Sequence, residues 1–340
     1  MAHNKNWLLS LKQAAGETKQ QGLISELIRL IQSGMKEGES LPSVNSVSRE
    51  LNISRDTVFK AYSELKKRGI VRSTPTKGYY VSHQISKILL LLDYYSPFKD
   101  IVYQEIKSSL DDTYSIDLVF HHYNRSLFDT VVLDSIGRYD TYIIMNFDAQ
   151  EMTFSESLSK IEPSRLLLLD IPILDWKEAD PRHYSYVCQD FDKSVTAALK
   201  GISSKIERYS DFVFINPDDL KHPLITLKAF SQYCTKSGIR LHVGNDPRDM
   251  DLMSGHAFFV LRQRDLTILL EMCRQKGLVP GKDIGILAYN DIPLYEFVAN
   301  GITVVSTDFH AMGKKAAQFV LKKDQVREVI PTKIIIRNSL

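Results

Sequence analysis

The residues with the most chemistry to offer stand in one stretch, LPSVNSVSRELNISRDTVFKAYSELKKRGIVRSTPTKGYYV, positions 41–81. Ser54, Arg55, Asp56 and Thr57 would form the first turn of a helix. Hydroxyls and backbone amides at a helix start suit phosphate, and an arginine can grip guanine O6 and N7 with two bonds. Phe59 and Lys60 extend the same outward face, and Ser43 and Asn45 open a short helix just before it. Lys77 and Gly78 tip a hairpin, from which the ammonium can reach a neighbouring phosphate or the minor groove. Together these residues offer DNA reading: bases by the second helix, phosphates around it.

The elements that must hold them are legible in the same letters. Ser43 can N-cap a helix whose apolar residues Val44, Val47 and Leu51 recur at helical spacing. Asn52-Ile53 makes a turn, and Ser54 caps a second helix with Val58, Ala61, Tyr62 and Leu65 on one face. Gly69 stops that helix after Lys66, Lys67 and Arg68, a basic run that suits its negative end. Residues 70–72 and 79–81 alternate as strands around the turn-forming tip 74–78. The pattern is a winged helix-turn-helix. The plainer reading is a structural hairpin with a solvated charged face, but caps, spacing and wing all agree with the first. An amphipathic stripe of Leu23, Ile24, Leu27, Ile28 and Ile31 within residues 20–34 supplies the opening helix of this domain. Residues 1–16 read as a tether, so the DNA-binding domain spans 1–82.

At these positions the chain resembles the GntR family of DNA-binding domains, over about residues 18–82. The resemblance rests on Leu41-Pro42-Ser43, Ile53-Ser54-Arg55 with Thr57-Val58, Ala61-Tyr62, Leu65 and Gly69-Ile70-Val71. It implies that Arg55, Ser54 and Thr57 contact a DNA operator. The chain departs from the family where arginines are common, at Asn45 and Phe59; Phe59 can touch a thymine methyl or pack inward.

Charge follows this division. The chain of 340 residues carries a formal net charge of +2, which hides an asymmetry. Residues 1–84 hold thirteen Lys+Arg against seven Asp+Glu; the remainder holds thirty against thirty-four. A basic head on an acidic body places the nucleic acid at the head. The three cysteines, Cys188, Cys234 and Cys273, are sparse and far apart, which fits buried thiols in a reducing cytoplasm. No apolar run approaches about eighteen residues, so no membrane span is expected.

The body, 83–340, changes to short apolar runs separated by helical segments. Candidate strands are 88–92, 116–120, 142–145, 166–170 and 186–188, then 212–215, 240–243, 258–261, 284–289 and 303–306. Near-continuous apolar runs suit parallel strands buried on both faces. Residues 192–206 and 224–236 have helical periodicity. Two groups of about five strands predict a two-lobed, doubly wound α/β domain with a ligand cleft outside the carboxyl ends of the strands. The connector Ser82-His83-Gln84 is short, which limits the freedom of the head.

The order of these signals resembles the effector domain of the lac-repressor family, itself like periplasmic sugar-binding proteins. Ile88-Leu89-Leu90-Leu91-Leu92 with Ser96-Pro97-Phe98 matches its opening strand and loop. Residues 282–294, KDIGILAYNDIPL, resemble its late strand with the Asp-Asp-Ile-Pro turn, and 304–317 its closing crossover and helix. A GntR-type head on this body resembles the arabinose-repressor type of regulator. The resemblance implies a homodimeric repressor of a double-stranded DNA operator, released or retained by a small sugar, with a pentose or L-fucose as first guesses. Carried over residue by residue, it puts Tyr94, Tyr95 and Phe98 against an apolar sugar face and Asp190 in the cleft. It puts Arg264 and Asp265 at the start of a second-lobe helix, and Asn290 as an acceptor of effector hydroxyls. The family's usual effector-binding arginine falls at Thr226, and Lys228-Ala229-Phe230 replaces its glycine pattern; Arg264 or His222 then supplies the missing donor. As alternatives, the tyrosines are ordinary aromatics, Asp190 and Asn290 only cap helices, and Arg264 is a surface ion pair.

No metal or cofactor is expected. The nine histidines show no ligand spacing, and His121-His122 are adjacent. P-loop, G-x-G-x-x-G and G-x-S-x-G patterns are missing, so nucleotide and acyl-transfer chemistry lack their parts. Two other classes stay open: a body like an aminotransferase needing pyridoxal phosphate, and a DNA binder with no small effector.

Overall fold

In the head, Ser54 Oγ accepts from the Thr57 amide at 3.1 Å and Ser43 Oγ from the Ser46 amide at 3.1 Å, and these caps fix where two helices begin. The computed structural model describes residues 19–32, 35–82, 86–110, 114–145, 155–171 and 183–340. The tether 1–16, Gly34 and the connector residues His83 and Gln84 lie outside them. The described residues fall into two compact units, dividing between Ser86 and Lys87.

The head runs α1 (Lys19–Gln32), α2 (Val44–Leu51), α3 (Arg55–Lys67), β1 (Val71–Thr74) and β2 (Gly78–Val81). Asn52 ends α2 in the left-handed region at φ 52°, and Gly69 follows α3 at φ 74°, where a side chain would be strained. The hairpin pairs β1 and β2 antiparallel, from Val71 with Val81 to Thr74 with Gly78. Leu23, Leu27, Val47, Val58, Ala61, Leu65 and Val71 are all buried in one core. Tyr62, fully buried, donates its hydroxyl to the Pro42 carbonyl at 2.8 Å and so ties α3 to the entry of α2.

The body has two lobes, each built on a six-stranded sheet. In chain order its elements are β3 (Ser86–Leu92), α4 (Pro97–Ser108), β4 (Tyr114–Phe120), α5 (Arg125–Ser135), β5 (Thr141–Ile144), β6 (Leu166–Leu169) and β7 (Ser185–Gln189). The chain goes on through α6 (Lys193–Gly201), α7 (Ser203–Ile206), β8 (Asp211–Ile215), α8 (Leu224–Ser237), β9 (Arg240–Gly244), β10 (His256–Val260) and α9 (Gln263–Lys276). It closes with β11 (Gly285–Tyr289), β12 (Thr303–Thr307), α10 (Phe309–Lys322), β13 (Arg327–Ile330) and β14 (Thr332–Ile335). Strand order is β13-β7-β6-β5-β3-β4 in the first lobe and β14-β12-β11-β10-β8-β9 in the second. Pairs from β3 through β7 to β13 are parallel, and only β14 runs antiparallel to its neighbour in the second sheet. Central strands such as β6 and β11 are buried along their whole length, as the continuous apolar runs require.

Two expectations need correcting. Each sheet has six strands rather than five, because the C-terminal residues add β13 to the first lobe and β14 to the second. These edge strands, REVI and TKII, each open on two polar or charged residues and flank Pro331, so they lack the signal of a core strand. The predicted helix 192–206 is also split at Ile202 into α6 and α7.

The lobes therefore do not follow one another simply. The chain crosses after β7, after β12 and between β13 and β14. Its helix α10 returns to the first lobe, where Phe309 stacks on Phe98 of α4 with ring centroids 4.6 Å apart. Among the described residues no helix is long and apolar enough to cross a membrane. Cys188, Cys234 and Cys273 are free and buried.

Candidate DNA-reading head and ligand cleft

The first turn of α3 presents Arg55 and Asp56 outward, and neither is occupied by the fold around it beyond a 2.7 Å pair between Asp56 and Lys60. Such an exposed pair is worth only a few tenths of a kcal/mol, so Lys60 is available to a stronger anion. The Ser54 and Thr57 hydroxyls lie 2.7 Å apart and share the cap. Phe59 is 55% exposed on the same face, which removes the inward-packing alternative. Asn45 is exposed on α2. On the wing, Lys77 sits over the Tyr80 ring at 4.7 Å, and Gly78 turns the hairpin at φ 72°. Arg55, Asp56, Phe59 and Lys60 thus share one exposed helix face, with the capping hydroxyls at its start.

In the body, the carboxyl ends of both sheets face one narrow cleft of ≈ 80 Å³. Ligand pockets commonly measure roughly 300–1,000 Å³, so the cleft is narrower here than most such pockets. From the first lobe it is lined by Asp93, Tyr94, Phe98, Lys99, Tyr123 and Asp170, among others. The second lobe contributes Phe191, Lys221, His222, Tyr289 and Asn290.

One wall is a closed polar cluster. Lys99 is only 3% exposed; it is ion-paired with Asp93 and lies 3.9 Å above the Tyr94 ring. Tyr123 donates its hydroxyl to Asp93 Oδ2 at 3.0 Å, and the Tyr94 amide donates to Oδ1 at 2.6 Å. The ammonium is therefore neutralised by the protein itself. His222 faces this wall, with Nε2 2.9 Å from Thr226 Oγ1, and its enclosure pushes the imidazole down to about 3. It sits in the cleft as a neutral ring.

The opposite chemistry belongs to two strand ends. Asp170 is the first residue past β6 and Asn290 the first past β11, each the third strand in its sheet order. Both adopt positive φ, 50° and 64°, and both backbone amides bond to the next strand, at Val187 and Val305 carbonyls. In each, Oδ1 is shielded from solvent and has no hydrogen-bond partner among the described residues. Burial raises the Asp170 carboxyl to about 6, while the amide of Gln189 favours its charged form. A buried acceptor left without a donor costs about 1–3 kcal/mol. Two of them, placed alike on facing lobes, call for a ligand that brings hydroxyl or amine hydrogens.

Of the residues expected in the cleft, Tyr94, Phe98, His222 and Asn290 are brought together there. Four are not. Tyr95 is 62% exposed and outside it. Asp190 caps α6, accepting from the Asp192 amide and from the Ser194 amide and hydroxyl at 3.1, 3.1 and 2.8 Å. Arg264 is exposed on α9. Asp265 is buried and bound by Arg262 at 2.9 and 3.1 Å, while Arg262 also reaches Asp219 at 2.7 Å. Thr226, at the position of the family's arginine, is fully buried. Sequence reasoning missed Asp93, Lys99, Tyr123 and Asp170. A signal existed for two of them: an aspartate directly after an all-apolar run, as in LLLLD, marks the ligand edge of a parallel sheet.

Comparison with known proteins agrees with both units. Residues 19–81 match the family of bacterial regulatory proteins of the gntR family, and residues 207–340 match the periplasmic binding protein-like domain. The head is 34% identical over 70 residues to an uncharacterized HTH-type transcriptional regulator, YcxD, of Bacillus subtilis. That match covers 20% of this chain, which spans 16% of the relative's length. In fold, the chain is similar to a LacI family transcriptional regulator from Lactobacillus casei with bound sucrose, at TM-score 0.60 and 13% identity, covering 75% of this chain and 100% of that one. It is also similar to the trehalose repressor from Escherichia coli, at TM-score 0.59 and 12% identity, covering 74% of this chain and 100% of that one.

Proposed function

We propose that this chain, a GntR-type head joined to a periplasmic-binding-protein-like body, is a transcriptional repressor whose hold on a DNA operator is set by a small sugar. The observation that carries the sugar reading is the pair of solvent-shielded oxygens of Asp170 and Asn290 in the cleft, unpartnered among the described residues. Hydroxyl groups of a monosaccharide supply the donors both lack, and the Tyr94 and Phe98 rings suit its apolar face. The folds it resembles include a regulator with bound sucrose and a trehalose repressor, which supports the same class of ligand. A pentose and L-fucose are the first compounds to test.

In this reading a homodimer in the cytoplasm presents two heads to a partly palindromic site. Ser54, Arg55, Thr57 and Phe59 meet the major groove, Ser43, Asn45, Asp56 and Lys60 border it, and Lys77 with Gly78 reaches the flanking backbone. Sugar bound between the lobes changes their closure and thereby the fit of the two heads to their half-sites. The body needs no cofactor and carries out no reaction.

Two substitutions separate the two activities. Arg55→Ala is expected to weaken binding to the operator about 5- to 150-fold, roughly 1–3 kcal/mol, in fluorescence anisotropy. An equal loss on random DNA would make Arg55 a phosphate contact instead. Asn290→Ala is expected to leave operator binding intact and to weaken sugar binding at least about tenfold by calorimetry, the worth of one buried hydrogen bond. Unchanged sugar affinity removes Asn290 from the site. A panel of monosaccharides in a thermal-shift experiment tests the reading as a whole, and no stabilisation by any of them favours a DNA binder without a small effector.

A further inference from the structure

Where the three crossovers meet, the chain has buried a polar side chain in place of an apolar one. Gln189 ends β7 and is 4% exposed. Its Nε2 donates to Asp170 Oδ2 at 3.0 Å, the carboxylate whose other oxygen faces the cleft unpaired. Its Oε1 lies 3.1 Å from the Tyr289 hydroxyl and 3.1 Å from Thr307 Oγ1. Tyr289 lines the cleft; Thr307 ends β12 at the second crossover. Thr307 Oγ1 is in turn 3.1 Å from Thr332 Oγ1, which opens β14 after the third crossover. Thr332 Oγ1 lies 2.9 Å from the Asp190 carbonyl, back in the first.

The protons do not suffice for this ring of oxygens. Five oxygen–oxygen contacts join Gln189 Oε1, Tyr289, Thr307, Thr332 and the Asp190 carbonyl, one of them between the Tyr289 and Thr332 hydroxyls, but only three hydroxyl hydrogens serve them. Thr307 can donate to Thr332 or to Gln189, and Thr332 to Thr307 or to the Asp190 carbonyl, so several donor arrangements are open. They differ in whether Gln189 Oε1 accepts from Thr307. A molecule in the cleft that engages Asp170 or the Tyr289 hydroxyl interacts differently with them, which is what an equilibrium needs in order to shift.

We propose that Gln189 is the positioning residue through which occupancy of the cleft reaches all three crossovers, by joining Asp170 and Tyr289 to Thr307 and Thr332. This rests on the sugar-responsive reading above and adds to it the path of the response. Gln189 also borders the cleft, but its amide nitrogen is engaged with Asp170 and its carbonyl with Tyr289 and Thr307.

The test uses the full chain, its operator, and L-arabinose, D-xylose or L-fucose, whichever stabilises the unsubstituted protein. Failure of all three at that first step counts against the sugar reading and is seen before any variant is made. Gln189→Leu is expected to keep operator affinity without sugar and, compared at a sugar concentration that saturates each protein, to shrink the sugar-induced change in operator affinity at least tenfold. In sugar-free Gln189→Leu, the Asp190 amide, bonded to the Ile330 carbonyl across two crossovers, should exchange its hydrogen at least tenfold faster. A full response to sugar in Gln189→Leu, or unchanged exchange at Asp190, overturns the assignment.

Discussion

Lowering the pH from 6.5 to 4 is expected to cost the body about 4 kcal/mol of stability, chiefly through two histidines held neutral. His121 is fully buried beside Phe128, and burial pushes it down to about 4. Asp93 nearby opposes that shift; Lys99 and His122 add to it. His222 is pushed down to about 3 by its enclosure in the cleft. Both folded values lie below the unfolded value of about 6.5, so their contribution is complete above pH 6.5 and is lost as pH falls through the folded values. At about 1.4 kcal/mol per unit, each loses roughly 3 kcal/mol by pH 4. Asp170 works the other way. Its raised value means that protonation relieves the fold as pH falls through about 6, returning roughly 2 kcal/mol. For a unit of this size the net loss corresponds to a fall in Tm of roughly 10 °C or more. His121→Leu, with similar volume and no charge, should remove about half of the histidine part of that fall in a scan at pH 6.5 and pH 4. An identical fall in the variant would show that His121 is not among the groups responsible.

The second large effect concerns one substitution with two signs. Gly22 lies within α1, and a methyl added there meets nothing within 4 Å, so Gly22→Ala is expected to stabilise the head by up to about 1 kcal/mol through helix propensity. Gly313 lies within α10 where it crosses α4. A methyl there would stand 2.6 Å from Glu105 Cβ and 2.9 Å from the Val102 carbonyl oxygen. The propensity gain is the same, but a backbone oxygen cannot move aside as a flexible side chain would, and the two helices must part. Gly313→Ala is expected to destabilise the body by about 2 kcal/mol net, and Gly313→Val by more than 3. Denaturant melts followed separately in each unit would read this, and a stabilised Gly313→Ala would contradict the packing described.

This contrast also marks where sequence stops speaking. The head was readable almost to the residue, because Ser43, Ser54 and Gly69 act through local backbone geometry that short segments carry by themselves. Central strands were readable because burial on both faces leaves unbroken apolar runs such as Leu166–Leu169. The edge strands β13 and β14 were not: half exposed, they look like any charged tail. The cleft was legible in part. Tyr94 and Asn290 sit beside motif-like letters, whereas Asp170 and Lys99 depend on which strand ends the fold brings face to face. Asp190 and Arg264 were placed by correspondence alone, and the local capping bonds of the one and the exposed setting of the other put them elsewhere. The coupling residue Gln189 could not be found from the chain, since its partners lie 19, 100 and 118 residues away.

The claim on which the rest depends is that a molecule in the body governs the grip of the head. Operator affinity of the full chain, measured by fluorescence anisotropy at fixed salt with and without a saturating monosaccharide that stabilises the protein, tests it most directly. The account predicts that the sugar weakens operator binding by about 5- to 150-fold, a coupling of roughly 1–3 kcal/mol, and leaves binding to random DNA unchanged. Identical operator curves with and without that sugar would contradict it.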